Sequence, residues 1–357
     1  MHKGKFIISA IGFITIVIGI ISPFSAIAQA NTYFSIRQQT PVRVLFIGNS
    51  FTEGNDLPDI VKGLADEVGI NTEIVSHTVQ GKSIDYFIHE QECWDYIRSR
   101  SWDYIVIQDN QKYYCDTLGK FDSSGIPIPL LENNIKFQES IKKLMPCVKI
   151  IYFAGWEQNG GVKSLFAADN TTRMVKRILE NYGYLNNMAG VHNVIAPIGM
   201  AWIACIKQRP DLARNVDSLL YRADGRHPGF AGSYLAACVT FATIFQRSPV
   251  HTTDNYQFVS QYLKNFLQQN AWEAVTDNYK YSNLTSIIPL VKINRKYIYT
   301  SKKYASYQWY SGYRPIPGAK NFDYAYPADN KNQEYWVETT DVQGCVYRSF
   351  PLKIKKN

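Results

Sequence analysis

The sequence predicts an α/β protein: a mostly parallel sheet covered by helices on both faces, followed by a small antiparallel β region. Three observations carry this. Five short runs rich in β-branched and apolar residues, at 42–47, 72–76, 103–108, 148–153 and 192–197, recur with helical patterns between them, and strands alternating with helices build parallel sheets. Between the first two runs, Leu57, Ile60, Val61, Leu64, Ala65 and Val68 fall on one stripe at three- and four-residue spacing, as an amphipathic helix requires. After about residue 285 the pattern changes to short alternating runs without a helix, at 291–300, 307–310, 323–326, 334–339 and 345–354, which reads as a small sandwich.

The 357 residues begin with Lys3 and Lys5 ahead of an almost continuous apolar run over 6–21, and Ala28-Gln29-Ala30 offers a small-residue cleavage site. This reads as an export signal over 1–30, which places the mature chain outside the cell, in the periplasm or at the cell surface. An uncleaved membrane anchor is the rival, because the run reaches the lower edge of a spanning helix. No later segment is apolar enough to cross a bilayer, so no membrane span is expected after cleavage.

The stretch "VRVLFIGNSFTEGNDLP", residues 42–58, runs the first strand into Gly48-Asn49-Ser50. Ser50 is open to two readings. Ser50-Phe51-Thr52-Glu53 fits a capping box, and a serine at a strand end is also a place for a nucleophile. The start signals of the following helix lie later, at Asp56 and Pro58, with Gly54 and Asn55 interrupting. The capping box is therefore at most one local turn, and Ser50 belongs to the loop leaving the carboxyl end of strand one, where open α/β sheets bind ligands. The helix itself ends at Gly69.

The six cysteines form no Cys-x-x-Cys pair and no Cys/His spacing suited to zinc, so neither a structural metal nor a cofactor is expected. Cys147, Cys205 and Cys238 sit in apolar patterns and read as buried small hydrophobes. Cys93 and Cys115 are the candidates for a pair across a loop. Cys345 has no partner within its own region, which excludes a disulfide across the C-terminal sandwich. The formal charge is +8, yet residues 291–357 hold 12 Lys/Arg against 5 Asp/Glu. The basic character thus belongs to the C-terminal region, either as solvated surface or as a contact for an anionic polymer or the cell envelope. No nucleic-acid module is recognised.

A serine becomes a nucleophile only with a base, an orienting acid and donors for the developing oxyanion. "DGRHPGFAGSYLAACVTFA" supplies Asp224 and His227 three residues apart on a loop before an apolar helix. That spacing lets the carboxylate hold one imidazole nitrogen while the other faces a serine. In "FAGWEQNG", Trp156 and Glu157 follow strand four at the same edge as Ser50 and are candidate substrate contacts, the alternative for Trp156 being to pack beneath a loop. Trp202 reads as a helix residue facing the core, and His77, His89 and His192 as structural.

Together these blocks resemble the SGNH (GDSL-like) hydrolases, in particular a secreted bacterial branch whose first block reads like "FIGNSFTEGNDLP"; the resemblance covers about residues 42–248. It implies a flavodoxin-like three-layer sandwich with a five-stranded parallel sheet, Ser50 as nucleophile, and Asp224 and His227 as its partners. Gly81 in "VQGKS" matches the glycine of the second block. The third block, Gly-x-Asn-Asp, overlays on Gln108-Asp109-Asn110-Gln111 in "YIVIQDNQ". This keeps Asn110 as side-chain donor and puts Gln108 in the glycine position, with the Gln108 amide as a second candidate donor. The implied oxyanion hole is the backbone N–H groups of Ser50 and Gly81 with Asn110. Thr52 stands where an α/β-hydrolase elbow has its final glycine, which separates the chain from that fold.

"YQWYSGYRPIPGA" and "YWVETTDVQGCVYRSFPLKI" are similar to immunoglobulin-like modules appended to secreted bacterial proteins, with Trp309 as core tryptophan. The expected organisation is a signal over 1–30, a hydrolase domain over 31–285 and a separable module over 286–357. Residues 251–277 form a closing helix in which Phe258, Tyr262, Phe266 and Leu267 seal the hydrolase domain. The expected function is a secreted serine esterase, an O-deacetylase or short-chain acyl esterase acting on acylated carbohydrate. The rivals are a lipid-ester or thioester hydrolase using the same residues, and a non-catalytic glycan-binding or envelope-associated protein.

Overall fold

The computed structural model describes residues 41–115, 129–190, 193–278, 282–294, 296–312, 314–327 and 333–354. The expected export signal and His192 lie outside the described residues. All five expected strands form, as β1 (Val42–Gly48), β2 (Thr72–Thr78), β3 (Tyr104–Ile107), β4 (Lys149–Phe153) and β5 (Val194–Ala196). They pair in parallel in the order β2-β1-β3-β4-β5, the flavodoxin-like order with its switch point beside β1. The central strands are buried almost throughout, as continuous apolar runs sandwiched between helices must be.

The helix Leu57–Glu67 buries Leu57, Pro58, Ile60, Val61, Leu64 and Ala65, the expected stripe, and its proline lies in the first turn. Asp56 precedes it in a left-handed conformation and makes no side-chain cap, so only its position matches the start signal. The helix Phe230–Phe245 is apolar all round and buried along nearly its whole length, because the helices Leu57–Glu67, Ile198–Gln208 and Gln261–Asp277 all pack on it. The expected closing helix forms only over Gln261–Asp277, residues 251–260 ahead of it being non-helical, and is capped by Ser260 accepting from Leu263 N–H. Of the expected sealing residues, Leu267 is fully buried and Phe266 packs on the core, with Ala271, Ala274 and Val275 completing the face, whereas Tyr262 and Phe258, the latter ahead of the helix, are 80% and 63% exposed. Lys264, paired with Asp254 at 2.9 Å, and Gln268, which donates to Tyr234 and Thr252, turn inward and set the rotation of the helix.

The C-terminal region is all β. The strands Asp323–Ala325, Tyr297–Thr300 and Val291–Ile293 form one antiparallel sheet, and Ser306–Ser311 and Glu334–Thr340 centre a second of five strands. The expected strand over 291–300 is a hairpin, because the Asn294 side chain accepts from the N–H groups of Lys296 and Tyr297 and turns the chain. Ile298, Trp309, Tyr335, Val337 and Ile354 share one core, with Trp309 fully buried as expected.

The cysteine expectations need correction. Cys147 is bonded to Cys345, 198 residues away, whereas Cys93 and Cys115 are both free and buried. Cys147 lies in the turn just before β4 and is exposed on the side of the α/β body, not inside the apolar run that follows. The bond ties the β region to the amino ends of the sheet strands. Trp272 packs edge-on to Phe350 at 5.6 Å, and Lys149 Nζ lies 5.3 Å from the Tyr347 ring across the same junction. A cavity of about 740 Å³ lined by Arg43, Lys149, Arg247 and Trp336 opens there, at the end of the sheet opposite Ser50. Among the described residues no helix is long and apolar enough to cross a membrane.

Candidate active site

β1 ends at Gly48, and Ser50 starts a single helical turn, Ser50–Glu53. Its cap is Asn49, whose Oδ1 accepts from Phe51 N–H; the capping-box reading of Ser50 is not realised, and neither is a plain loop. As first residue of that turn, Ser50 has a backbone N–H with no intrahelical acceptor, and no partner among the described residues takes it. Asn49 Nδ2 also donates to Lys82 O at 2.9 Å, and Val79 N–H donates to Gly48 O. These two bonds draw the turn carrying Gly81 beside Ser50. Gly81 has φ of +72°, a left-handed turn that suits glycine, and its N–H is likewise unpartnered among the described residues.

The third element is the loop ahead of Phe230–Phe245. Asp224 Oδ1 accepts from the N–H groups of Arg226 and His227, an Asx-type turn that explains the three-residue spacing. Gly225 takes φ of +68° within it. Asp224 Oδ2 is left for His227 Nδ1, at 2.5 Å, and His227 Nε2 lies 3.0 Å from Ser50 Oγ, across 177 residues of sequence. Burial pushes the Asp224 carboxyl up, but the bonds from His227 and the two backbone N–H groups outweigh it and hold the carboxyl below the usual range. An ionised Asp224 fixes the His227 tautomer with Nε2 free to accept the serine proton.

The remaining expected residues divide. Asn110 follows β3; its Oδ1 accepts from Lys112 N–H, leaving the amide NH₂ as a donor without a partner among the described residues. Gln108 is corrected. It is buried, its Oε1 accepts from Asn49 N–H and Thr52 Oγ1 and its Nε2 donates to Asp109 O, so its amide is committed to holding the Ser50 turn and cannot meet an oxyanion. Trp156 is corrected as well: it is fully buried, stacks on Trp202 at 3.5 Å and donates from Nε1 to Arg226 O. It supports the Asp224–His227 loop from beneath. Glu157 is also buried and pairs with Arg226 at 2.8 Å, so it too grips the loop between the acid and the base. His77 is structural, bonded to Glu90 at 2.7 Å and stacked on Tyr96.

Two groups escaped sequence reasoning. Asn49 reads only as part of a Gly-Asn-Ser turn. Asp109 is fully buried and accepts from Ile84 N–H, Asn110 N–H and Tyr114 OH, joining the second and third blocks; an acid at a strand end carries no local sign of these distant partners. Burial raises Asp109 to about 6 against its three bonds, and raises Glu157 to about 7 against Arg226 and Lys112. Both folded-state values exceed the unfolded ones, so between the two the folded chain holds protons that the unfolded chain has released. The contribution of these groups is most favourable below the unfolded carboxyl range and declines as pH rises from about 4 to 7. Glu157→Gln is therefore expected to flatten the fall in unfolding free energy over that window, measured by denaturant titration at a series of pH values. An unchanged slope would remove Glu157 from the account.

No protein-family model and no curated protein matches the sequence. Among solved structures, a DUF4886 family protein from Bacteroides uniformis is similar at 19% identity with a TM-score of 0.52, over 69% of this chain and 99% of that one. A Slackia heliotrinireducens protein assigned to the SGNH hydrolases is similar at 21% identity and a TM-score of 0.42, over 57% and 98% of the two chains. A catalytic mutant of an acetylxylan esterase from Geobacillus stearothermophilus follows at 15% identity and 0.40, over 61% and 96%. The first of these likenesses is one of fold. The sheet order and the helices on both faces are those of the three-layer sandwich that the sequence resemblance to SGNH hydrolases implies.

Proposed function

We propose that this chain is an exported serine ester hydrolase of the SGNH type, acting as an O-deacetylase or short-chain acyl esterase on carbohydrate. The observation that carries the reading is the continuous line Ser50 Oγ, His227 Nε2, His227 Nδ1, Asp224 Oδ2, with separations of 3.0 and 2.5 Å at the carboxyl edge of a parallel sheet. His227 takes the Ser50 proton as Oγ attacks the acyl carbonyl, and returns it to the leaving sugar oxygen; water then repeats the sequence on the acyl-enzyme. The N–H groups of Ser50 and Gly81 and the Asn110 amide are the donors for the oxyanion. The acetyl group and the carbohydrate rest on the resemblance and on export. The Cys147–Cys345 bond favours an oxidising compartment and thus supports export. The C-terminal region is read as an immunoglobulin-like module whose basic surplus suits an anionic envelope polymer.

A fluorophosphonate probe should label the protein at Ser50, and an acyl-chain series of 4-nitrophenyl esters should be cleaved fastest at acetate. Absence of labelling would favour a glycan-binding protein without turnover, and faster cleavage of long chains a lipid-ester hydrolase. Asn110→Ala is expected to lower kcat on the acetate by about 10²–10³-fold with the melting temperature nearly unchanged. Gln108→Ala should instead lower the melting temperature, because it strands the Asn49 N–H. Equal rates in parent and Asn110→Ala would remove Asn110 from the oxyanion hole.

A further inference from the structure

We propose that the cleft between the first turns of the helices Leu57–Glu67 and Phe230–Phe245 is a subsite for a neutral sugar residue of a glycan chain. This extends the carbohydrate reading above and rests on it for the link to catalysis. The cleft holds about 430 Å³. One wall is an aromatic stack: the Phe258 ring lies 4.5 Å from Phe230, nearly parallel, with Tyr256 packed edge-on behind it. Stacking fixes Phe258 while leaving it 63% exposed, so a flat apolar face is held towards water at a cost that a ligand would relieve. The CH face of a pyranose ring matches such a surface.

The rest of the cleft supplies what the edge of that ring needs. Asp56 and Asp59 line it, and neither carboxylate has a partner among the described residues, so both are available to accept from sugar hydroxyls. Tyr256 backs the cleft, its hydroxyl buried away from it. Asn55 and Asp56 are two consecutive non-glycine residues with φ of 58° and 55°, a sparsely populated conformation that clusters at ligand sites. Gly63 lies within the helix, and a Cβ built there would meet nothing within 4 Å, so packing does not require a glycine; its absence of side chain leaves the floor open. The unpaired acids exclude uronic residues and select a neutral sugar.

Asn55, at the rim of the cleft, is bonded to the catalytic loop. Asn55 Nδ2 donates to Pro228 O at 3.0 Å, the residue after His227, and Arg222 Nη2 donates to Asn55 Oδ1. The proposal places a neighbouring unit of a chain bound at Ser50 in this cleft.

The test uses full-length protein carrying Ser50→Ala, so that binding is read without turnover, titrated calorimetrically with the pentasaccharides of glucose, xylose and mannose and with pentagalacturonate. At least one neutral oligosaccharide should bind and the galacturonate should not. Adding Phe258→Ala should weaken binding at least tenfold, and Gly63→Leu should do the same by filling the floor, with far-ultraviolet circular dichroism confirming that both remain folded. The subsite is overturned if no neutral oligosaccharide binds, if galacturonate binds preferentially, or if Phe258→Ala leaves the affinity unchanged. It is also overturned if sedimentation shows a self-association that Phe258→Ala abolishes, which would assign the face to a second copy. Failure of the hydrolase reading appears separately, as absence of ester cleavage by the chain with Ser50 intact.

Discussion

Ser50→Ala is expected to lower kcat for acetate ester hydrolysis by at least about 10⁴-fold while the melting temperature shifts little. The two halves of this result have separate causes. The rate falls because Ser50 Oγ is the group hydrogen-bonded to His227 Nε2 among the described residues, in line with Asp224; what remains is binding and the oxyanion donors. The fold persists because Ser50 is not the cap of its own turn. Asn49 holds that role through its Oδ1 and ties the Gly81 turn through its Nδ2, so the alanine loses only one half-buried hydrogen bond, worth about 1 kcal/mol. Asn49→Ala should show the reverse ranking, with stability lost by about 1–2 kcal/mol. Steady-state kinetics and thermal melts on the two variants decide the matter, and near-parental turnover by Ser50→Ala would end the nucleophile assignment.

The parts of this architecture legible in sequence are those whose cause is local. The five strands could be read because parallel strands buried on both faces are continuous apolar runs, and Asp224 and His227 because an Asx turn over three residues is itself the geometry that joins them. The main helix start was readable at Asp56 and Pro58, but the single turn Ser50–Glu53 ahead of it, capped by Asn49, was not. The misreadings share a different origin. Trp156 and Gln108 lie at strand ends, where a polar or aromatic residue faces either the substrate or the support beneath it, and only the partners Trp202, Arg226, Asn49 and Thr52 reveal which. Tyr262 suited an apolar helical face, but the buried Lys264–Asp254 pair turned that face away, and Phe258 falls in the non-helical segment before the helix starts at Gln261. A disulfide across 198 residues leaves no local pattern at either cysteine.

That disulfide changes what removal of the C-terminal region should do. Replacing both Cys147 and Cys345 with serine is expected to cost roughly 2–5 kcal/mol of stability, since closing so long a loop removes much of the freedom of the unfolded chain. The same variant should keep kcat/KM for a small acetate ester within about twofold. Cys147 precedes β4 at its amino end, whereas Ser50, Gly81, Asn110 and His227 gather at the carboxyl ends of the strands; the five residues of β4 separate the two edges by about 17 Å. Truncation near residue 285 is a harsher change than a separable module would predict. It leaves Cys147 unpaired and uncovers Trp272 where Phe350 packs, so the shortened chain should be less stable as well as less well retained on an anionic polymer. Chemical denaturation and small-ester kinetics on the double-serine variant separate these effects. Loss of stability with activity kept is expected; activity lost in a folded variant would mean that the β region shapes the catalytic edge through the sheet.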